Sequence, residues 1–140
     1  MTATMFEVFD HTADLGLRIH AADVNSLFAE AGRALLSVVV SDPGSVEPRE
    51  ELTLRVAGTD IEYLFVDWLD ELLFLFESKR LLASEFEVVV DDTGLSATVH
   101  GETCDLARHA LAHEVKAVTY HGLTVEQTAD GWRAEVILDI

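Results

Sequence analysis

The segment from Met5 to Asp10 alternates loosely and is rich in Phe and Val, a pattern that predicts a first strand. After a break at His11 to Asp14, Leu15, Leu17 and Ile19 fall on one side and Gly16, Arg18 and His20 on the other. That is the period-two signature of a half-buried second strand. Beyond Asp23 the period changes: Leu27, Phe28, Ala31, Leu35, Val38 and Val39 recur at spacings of three and four, an amphipathic helix. Asp23 suits its N-cap, since a carboxylate there accepts from the free amides of the first turn. The helix is expected to end near Ser41, where Asp42-Pro43-Gly44 makes a turn.

Leu52, Leu54 and Val56 alternate within Glu51 to Val56 and predict a further strand, broken at Gly58 and Thr59. Asp60 can cap a second helix, whose stripe of Ile61, Leu64, Phe65, Trp68, Leu69, Leu72, Leu73 and Phe76 runs to about Arg80. This is the most hydrophobic element and the expected central core helix. Its acids, Glu62, Asp67, Asp70, Glu71 and Glu77, read as a solvated face. Phe86, Val88 and Val90, a turn at Asp91 to Gly94, and Leu95, Ala97 and Val99 predict a β-hairpin. Glu102 to His113 has weak helical spacing through Leu106, Ala110 and Leu111 and reads as loop or short helix. Val115 to Gln127 returns to strand composition, and Asp130-Gly131 turns the chain into a last strand carrying Trp132, Ala134, Val136 and Leu138. Hairpins rather than regular βαβ alternation define an α+β fold: two long helices packed on a mostly antiparallel sheet of about seven strands, in one domain over residues 1–140.

Composition adds limits. Hydrophobic residues at 49% and charged residues at 25% supply a sizeable core and argue against disorder. Nine basic against 26 acidic residues give a net charge of −17, a field that repels a phosphate backbone, so direct, general nucleic-acid binding is not expected. Lysine is scarce, with only Lys79 and Lys116. Cys104 is the lone cysteine, which excludes an intrachain disulfide and a thiolate zinc cluster. No leader is evident at the N-terminus and no apolar run approaches membrane-spanning length, so a cytoplasmic location without membrane attachment is expected.

The sharpest constellation of polar groups joins the two ends of the chain. Asp14 sits in the break after the first strand, and Asp139 and Ile140 close the sequence beside a terminal carboxylate. Hard divalent cations take several oxygen ligands, and these residues can supply them if the first loop and the last strand meet. Otherwise Asp14 caps a turn and Asp139 lies on a solvated end. His11 carries an imidazole of the kind that serves as ligand or general base, or simply bonds within its own turn. His100, His109, His113 and His121 raise zinc only faintly, although His109 and His113 could share a helix face. Lys116 is a flexible point charge suited to a phosphate or a partner's carboxylate, or pairs with Glu114. Neither a phosphate-cradling glycine loop nor a Gly-x-Ser-x-Gly elbow is present.

Five stretches together resemble the archease family. They are Phe6 to Gly16 (Phe-Glu-Val-Phe-Asp-His-Thr-Ala-Asp-Leu-Gly), Leu27 to Ala31 (Leu-Phe-Ala-Glu-Ala), Asp67 to Leu73 (Asp-Trp-Leu-Asp-Glu-Leu-Leu), Val115 to His121 (Val-Lys-Ala-Val-Thr-Tyr-His) and Val136 to Ile140 (Val-Ile-Leu-Asp-Ile). They span nearly the whole chain in the family's order; Cys104 to His113 carries no family signature. The resemblance implies an accessory protein rather than an enzyme. Its partner would be the GTP-dependent tRNA-splicing RNA ligase, whose histidine guanylylation and multiple turnover it promotes. It also implies a divalent metal ion, calcium, magnesium or manganese, on Asp14, Asp139 and Ile140, the last through backbone or terminal oxygen. Lys116 and His11 are then expected to meet the partner or a phosphate. Two rival readings make different predictions. A stand-alone metal-dependent phosphoester hydrolase built on Asp14, Asp139 and His11 turns over a phosphoester by itself, and a chaperone-like interaction protein keeps its partner when both aspartates are removed.

Overall fold

In the computed structural model, which describes residues 3–140, eight strands and two α-helices follow in the order β1 (Met5–His11), β2 (Asp14–Ala21), α1 (Val24–Val39), β3 (Glu50–Ala57), α2 (Ile61–Lys79), β4 (Leu81–Asp91), β5 (Gly94–Thr103), β6 (Ala117–Val118), β7 (Thr124–Gln127) and β8 (Trp132–Asp139). The antiparallel α+β architecture is as the patterning predicts, with one more strand and a division into two sheets. One sheet runs β1-β2-β8-β6 with β7 also on β8; the other runs β3-β5-β4, and every pairing is antiparallel. The extra strand arises because the expected run from Val115 to Gln127 is broken by a turn at Tyr120 to Gly122, where Gly122 takes φ 65°.

Both predicted caps form. Asp23 accepts from the Ser26 amide, and Asp60 accepts from the amides of Glu62 and Tyr63. The centre of the core belongs to α1 and not, as hydrophobicity alone suggests, to α2. Ala29, Ala31, Gly32 and Ala34 are all buried in α1, and a Cβ on Gly32 would stand 2.7 Å from the Phe86 ring of β4. Small residues let this helix lie against both sheets at once, whereas α2 keeps Tyr63 and Phe74 in solvent. The helices are joined at Trp68, which is fully buried, donates its indole N–H to the Phe28 carbonyl at 2.8 Å and sits edge-on to Phe86.

The segment from Glu102 to His113 forms no helix. After the last two residues of β5 it is a turn followed by non-helical chain, docked on the C-terminal end of α1 and the residues just after it by hydrogen bonds from Ser41 to Ala110, Ala112 to Val39 and His113 to Val38. Its anchor is internal: the buried Glu102 carboxylate accepts from the Glu47 amide at 2.6 Å, from Arg108 and from His109 Nε2 at 3.1 Å. His109 Nδ1 in turn accepts from the Asp105 amide at 2.9 Å, which fixes the imidazole as the Nε2–H tautomer. Periodicity cannot foresee such a polar anchor. Among the described residues no helix is long and apolar enough to cross a membrane.

Candidate functional site

The five-stranded sheet ends in a row of polar residues. β1 and β2 are joined by the two residues Thr12 and Ala13, with His11 opposite Asp14. Thr12 adopts φ 56°, a left-handed conformation costly for a β-branched side chain. The β2–β8 ladder runs up to Leu15 opposite Leu138, and the same register continued by one residue sets Asp14 opposite Asp139. On the far side of β8, Asp139 lies opposite Ala117. His11, Asp14, Asp139 and Ala117 thus form one row across four strands. Since Leu15 and Leu138 point into the core, this row faces outward. Directly opposed residues of an antiparallel pair hold their Cβ atoms about 4.5–5.5 Å apart, close enough for two carboxylates to share an ion.

The neighbouring rows of the same face support this one. The Phe9 ring lies on Gly16, where a Cβ would meet its atoms at 2.1 to 2.5 Å, and Ile137 completes that row on β8. The Arg18 guanidinium sits over Phe9 at 4.6 Å and pairs with Glu135 at 3.1 Å, while Arg133 pairs with Glu135 at 2.9 Å.

His11 does not bond within its own turn. Its Nδ1 is buried without a hydrogen-bond partner, and Asp14 Oδ2 lies at 4.0 Å, beyond hydrogen-bond range. A second imidazole, His121, meets it with ring centroids 5.5 Å apart. His121 was legible only as one histidine of several; its place comes from Thr119, whose amide and hydroxyl both donate to the Ile137 carbonyl and bring the following turn over β8. Beside it Tyr120 meets Tyr63 of α2 in a T-shaped contact at 5.5 Å. Lys116 precedes β6, and its amide donates to the Asp139 carbonyl at 2.8 Å, which brings Lys116 to the row's end. The lysine side chain is exposed and, among the described residues, forms no ion pair with Glu114 or any other acid, whereas six of the seven arginines are paired.

The carboxylates of Asp14 and Asp139 suit a hard divalent cation in donor type, with the unpartnered His11 nitrogen at the edge. Among the described residues no three or more His, Cys, Asp or Glu side chains gather as a metal cluster, so an ion at this row needs main-chain oxygens, such as those of Ile140, to complete its shell. The histidine-only zinc reading fails at His109, whose two ring nitrogens are already engaged by Asp105 and Glu102. His113 lies on non-helical chain and shares no helix face with it.

These features define a small antiparallel α+β protein whose chemistry-bearing groups are carboxylates, imidazoles and one free lysine at strand ends, without a glycine-rich phosphate loop or a nucleophile elbow. The family model described as the Archease protein family (MTH1598/TM1083) matches residues 6–140. Proteins named "Protein archease" from Methanopyrus kandleri and Methanosarcina acetivorans are 37% and 35% identical to this chain. The matches cover 96% of this chain and 99% and 95% of those relatives. The solution structure of Methanobacterium thermoautotrophicum protein 1598 superposes with a TM-score of 0.84 at 36% identity, over 96% of this chain and 98% of that one. The chain belongs to the archease family.

Proposed function

We propose that this protein activates a GTP-dependent RNA-splicing ligase, promoting guanylylation of the ligase histidine and repeated turnover in tRNA splicing and RNA repair. The observation that supports this site is the β2–β8 register, whose continuation by one step beyond Leu15 and Leu138 sets Asp14 opposite Asp139, with the Lys116 amide bonded to the Asp139 carbonyl. The partner is taken from membership of the family. A divalent ion, calcium, magnesium or manganese, supplies positive charge and Lewis acidity toward phosphate oxygens when bound at such a site. The chain's own groups do the rest. Asp14, Asp139 and Ile140 offer oxygen donors, and Lys116 offers a mobile cation to a phosphate or carboxylate of the partner. The excess of 26 acids over nine bases orients the protein toward a basic, nucleotide-binding cleft and away from free RNA.

The test incubates the cognate ligase with GTP and metal, with and without this protein, and follows guanylylation and multiple-turnover joining. Stimulation is expected from the parent and is expected to be lost with Asp14→Ala or Asp139→Ala, both of which also lose calcium binding measured by calorimetry. Stimulation that survives both substitutions overturns the reading, as does phosphoester turnover by the isolated protein.

A further inference from the structure

Two ring contacts, linked through the consecutive residues Tyr120 and His121, lead away from His11 of the aspartate row. Tyr63, in the first turn of α2, meets Tyr120; the next residue, His121, meets His11, which stands opposite Asp14. The base of these contacts is fixed. Asp60 caps the Tyr63 amide, the Val125 amide donates to Glu62 at 3.3 Å, and Thr119 ties the Tyr120 turn to β8. The two tyrosines are nonetheless 58% and 56% exposed, and among the described residues neither hydroxyl makes a hydrogen bond. In their T-shaped contact an edge meets a face, which leaves the remaining ring faces open, with Glu62 next to Tyr63 and the His121–His11 contact following Tyr120.

Pre-positioned aromatic surface of this kind is what dominates binding energy at protein interfaces. Its setting decides the partner's chemistry. Ring faces attract cations, and the adjoining Glu62 carboxylate and the net charge of −17 add to that attraction while repelling phosphates. We infer that Tyr63 and Tyr120 form the anchor that docks a basic protein surface, receiving arginine or lysine side chains of the activated ligase so that the aspartate row reaches its nucleotide. This rests on the functional reading above and adds the surface through which it operates.

The experiment titrates the cognate ligase with parent, Tyr63→Ala, Tyr120→Ala and Tyr120→Phe proteins by calorimetry, after circular dichroism has shown that each is folded. Each alanine variant is expected to bind roughly tenfold or more weakly, in the range of interface anchors. Tyr120→Phe, which keeps the ring, is expected to stay within about threefold. In guanylylation assays the alanine variants should need more protein to reach half-maximal stimulation yet attain the parent's plateau, whereas Asp14→Ala loses the plateau. Unchanged affinity in both alanine variants overturns the inference while leaving the functional reading intact. It is likewise overturned if the parent binds a single-stranded RNA oligonucleotide through these tyrosines. A parent protein that neither binds nor stimulates the ligase removes the functional reading and this surface with it.

Discussion

Gly16→Ala tests how the outer face of the five-stranded sheet is built. The new methyl group would lie 2.1, 2.4 and 2.5 Å from three atoms of the Phe9 ring, against ordinary carbon contacts of about 3.5–4.0 Å, so the ring must leave its seat. A displaced ring gives up about 1–2 kcal/mol of apolar burial and a further ~0.5–1 kcal/mol of its contact with Arg18. The lower chain entropy of unfolded Ala returns ~0.4–1 kcal/mol. The net expectation is a loss of about 1–2 kcal/mol, which lowers the melting temperature by roughly 2–8 °C in a chain of this size. Denaturant and thermal unfolding measure it. The decisive comparison repeats the substitution in a Phe9→Ala background, where the obstructing ring is gone and Gly16→Ala should become neutral or stabilise by about 0.5 kcal/mol. Equal destabilisation in both backgrounds would refute the reasoning and place the need for glycine in the backbone instead.

Two further outcomes follow from local chemistry. The Glu102 carboxyl is held down at about 2, first by the Glu47 amide and then by Arg108 and His109, against an ordinary value of 4.5. A depressed native value means that its stabilisation is fully present above the unfolded value and is lost as pH falls from about 4.5 toward 2. The stability gap between the parent and Glu102→Gln should therefore shrink across that window in melts taken at stepped pH, and a constant gap would refute the assignment. At the β1–β2 turn, Thr12→Gly should remove a left-handed penalty of about 1–3 kcal/mol and cost ~0.4–1 kcal/mol in unfolded-chain entropy. A rise of about 1 kcal/mol in denaturation free energy is expected, and no rise would show that the turn is unstrained.

Periodicity and caps were enough for the elements with a single buried stripe. Asp23 and Asp60 sit where an N-cap must, and β2 alternates because one face packs on α1 while the other carries Gly16 and Arg18. The ranking of the helices failed for a physical reason: large side chains raise hydrophobicity, but the middle position needs small ones, which allow close approach on more than one side. The stretch from Glu102 to His113 misled in the same way. Leu106, at 72% exposed, belongs to no apolar stripe, and what orders the segment is a buried carboxylate whose partners lie as far off in sequence as Glu47.

The candidate site was legible residue by residue but not as a place. Asp14 and Asp139 are brought together by a ladder that starts at Ala21 and Trp132 and counts outward one pair at a time, so a slip of one residue would turn Asp139 toward the core and Leu138 outward. The apolar alternation of Leu15, Leu17 and Ile19 against Leu138, Val136 and Ala134 forbids that slip. The same buried pairs that stabilise the sheet therefore set which polar residues share its rim. His121 and Tyr120 show the complementary case: nothing in their spacing from His11 or Tyr63 points to contact, because it depends on β6 and β7 both pairing with β8 and on the turn between them folding back. Core patterning thus positions the acids, whereas the ring contacts leading away from His11 depend on a turn that only the assembled sheet can place.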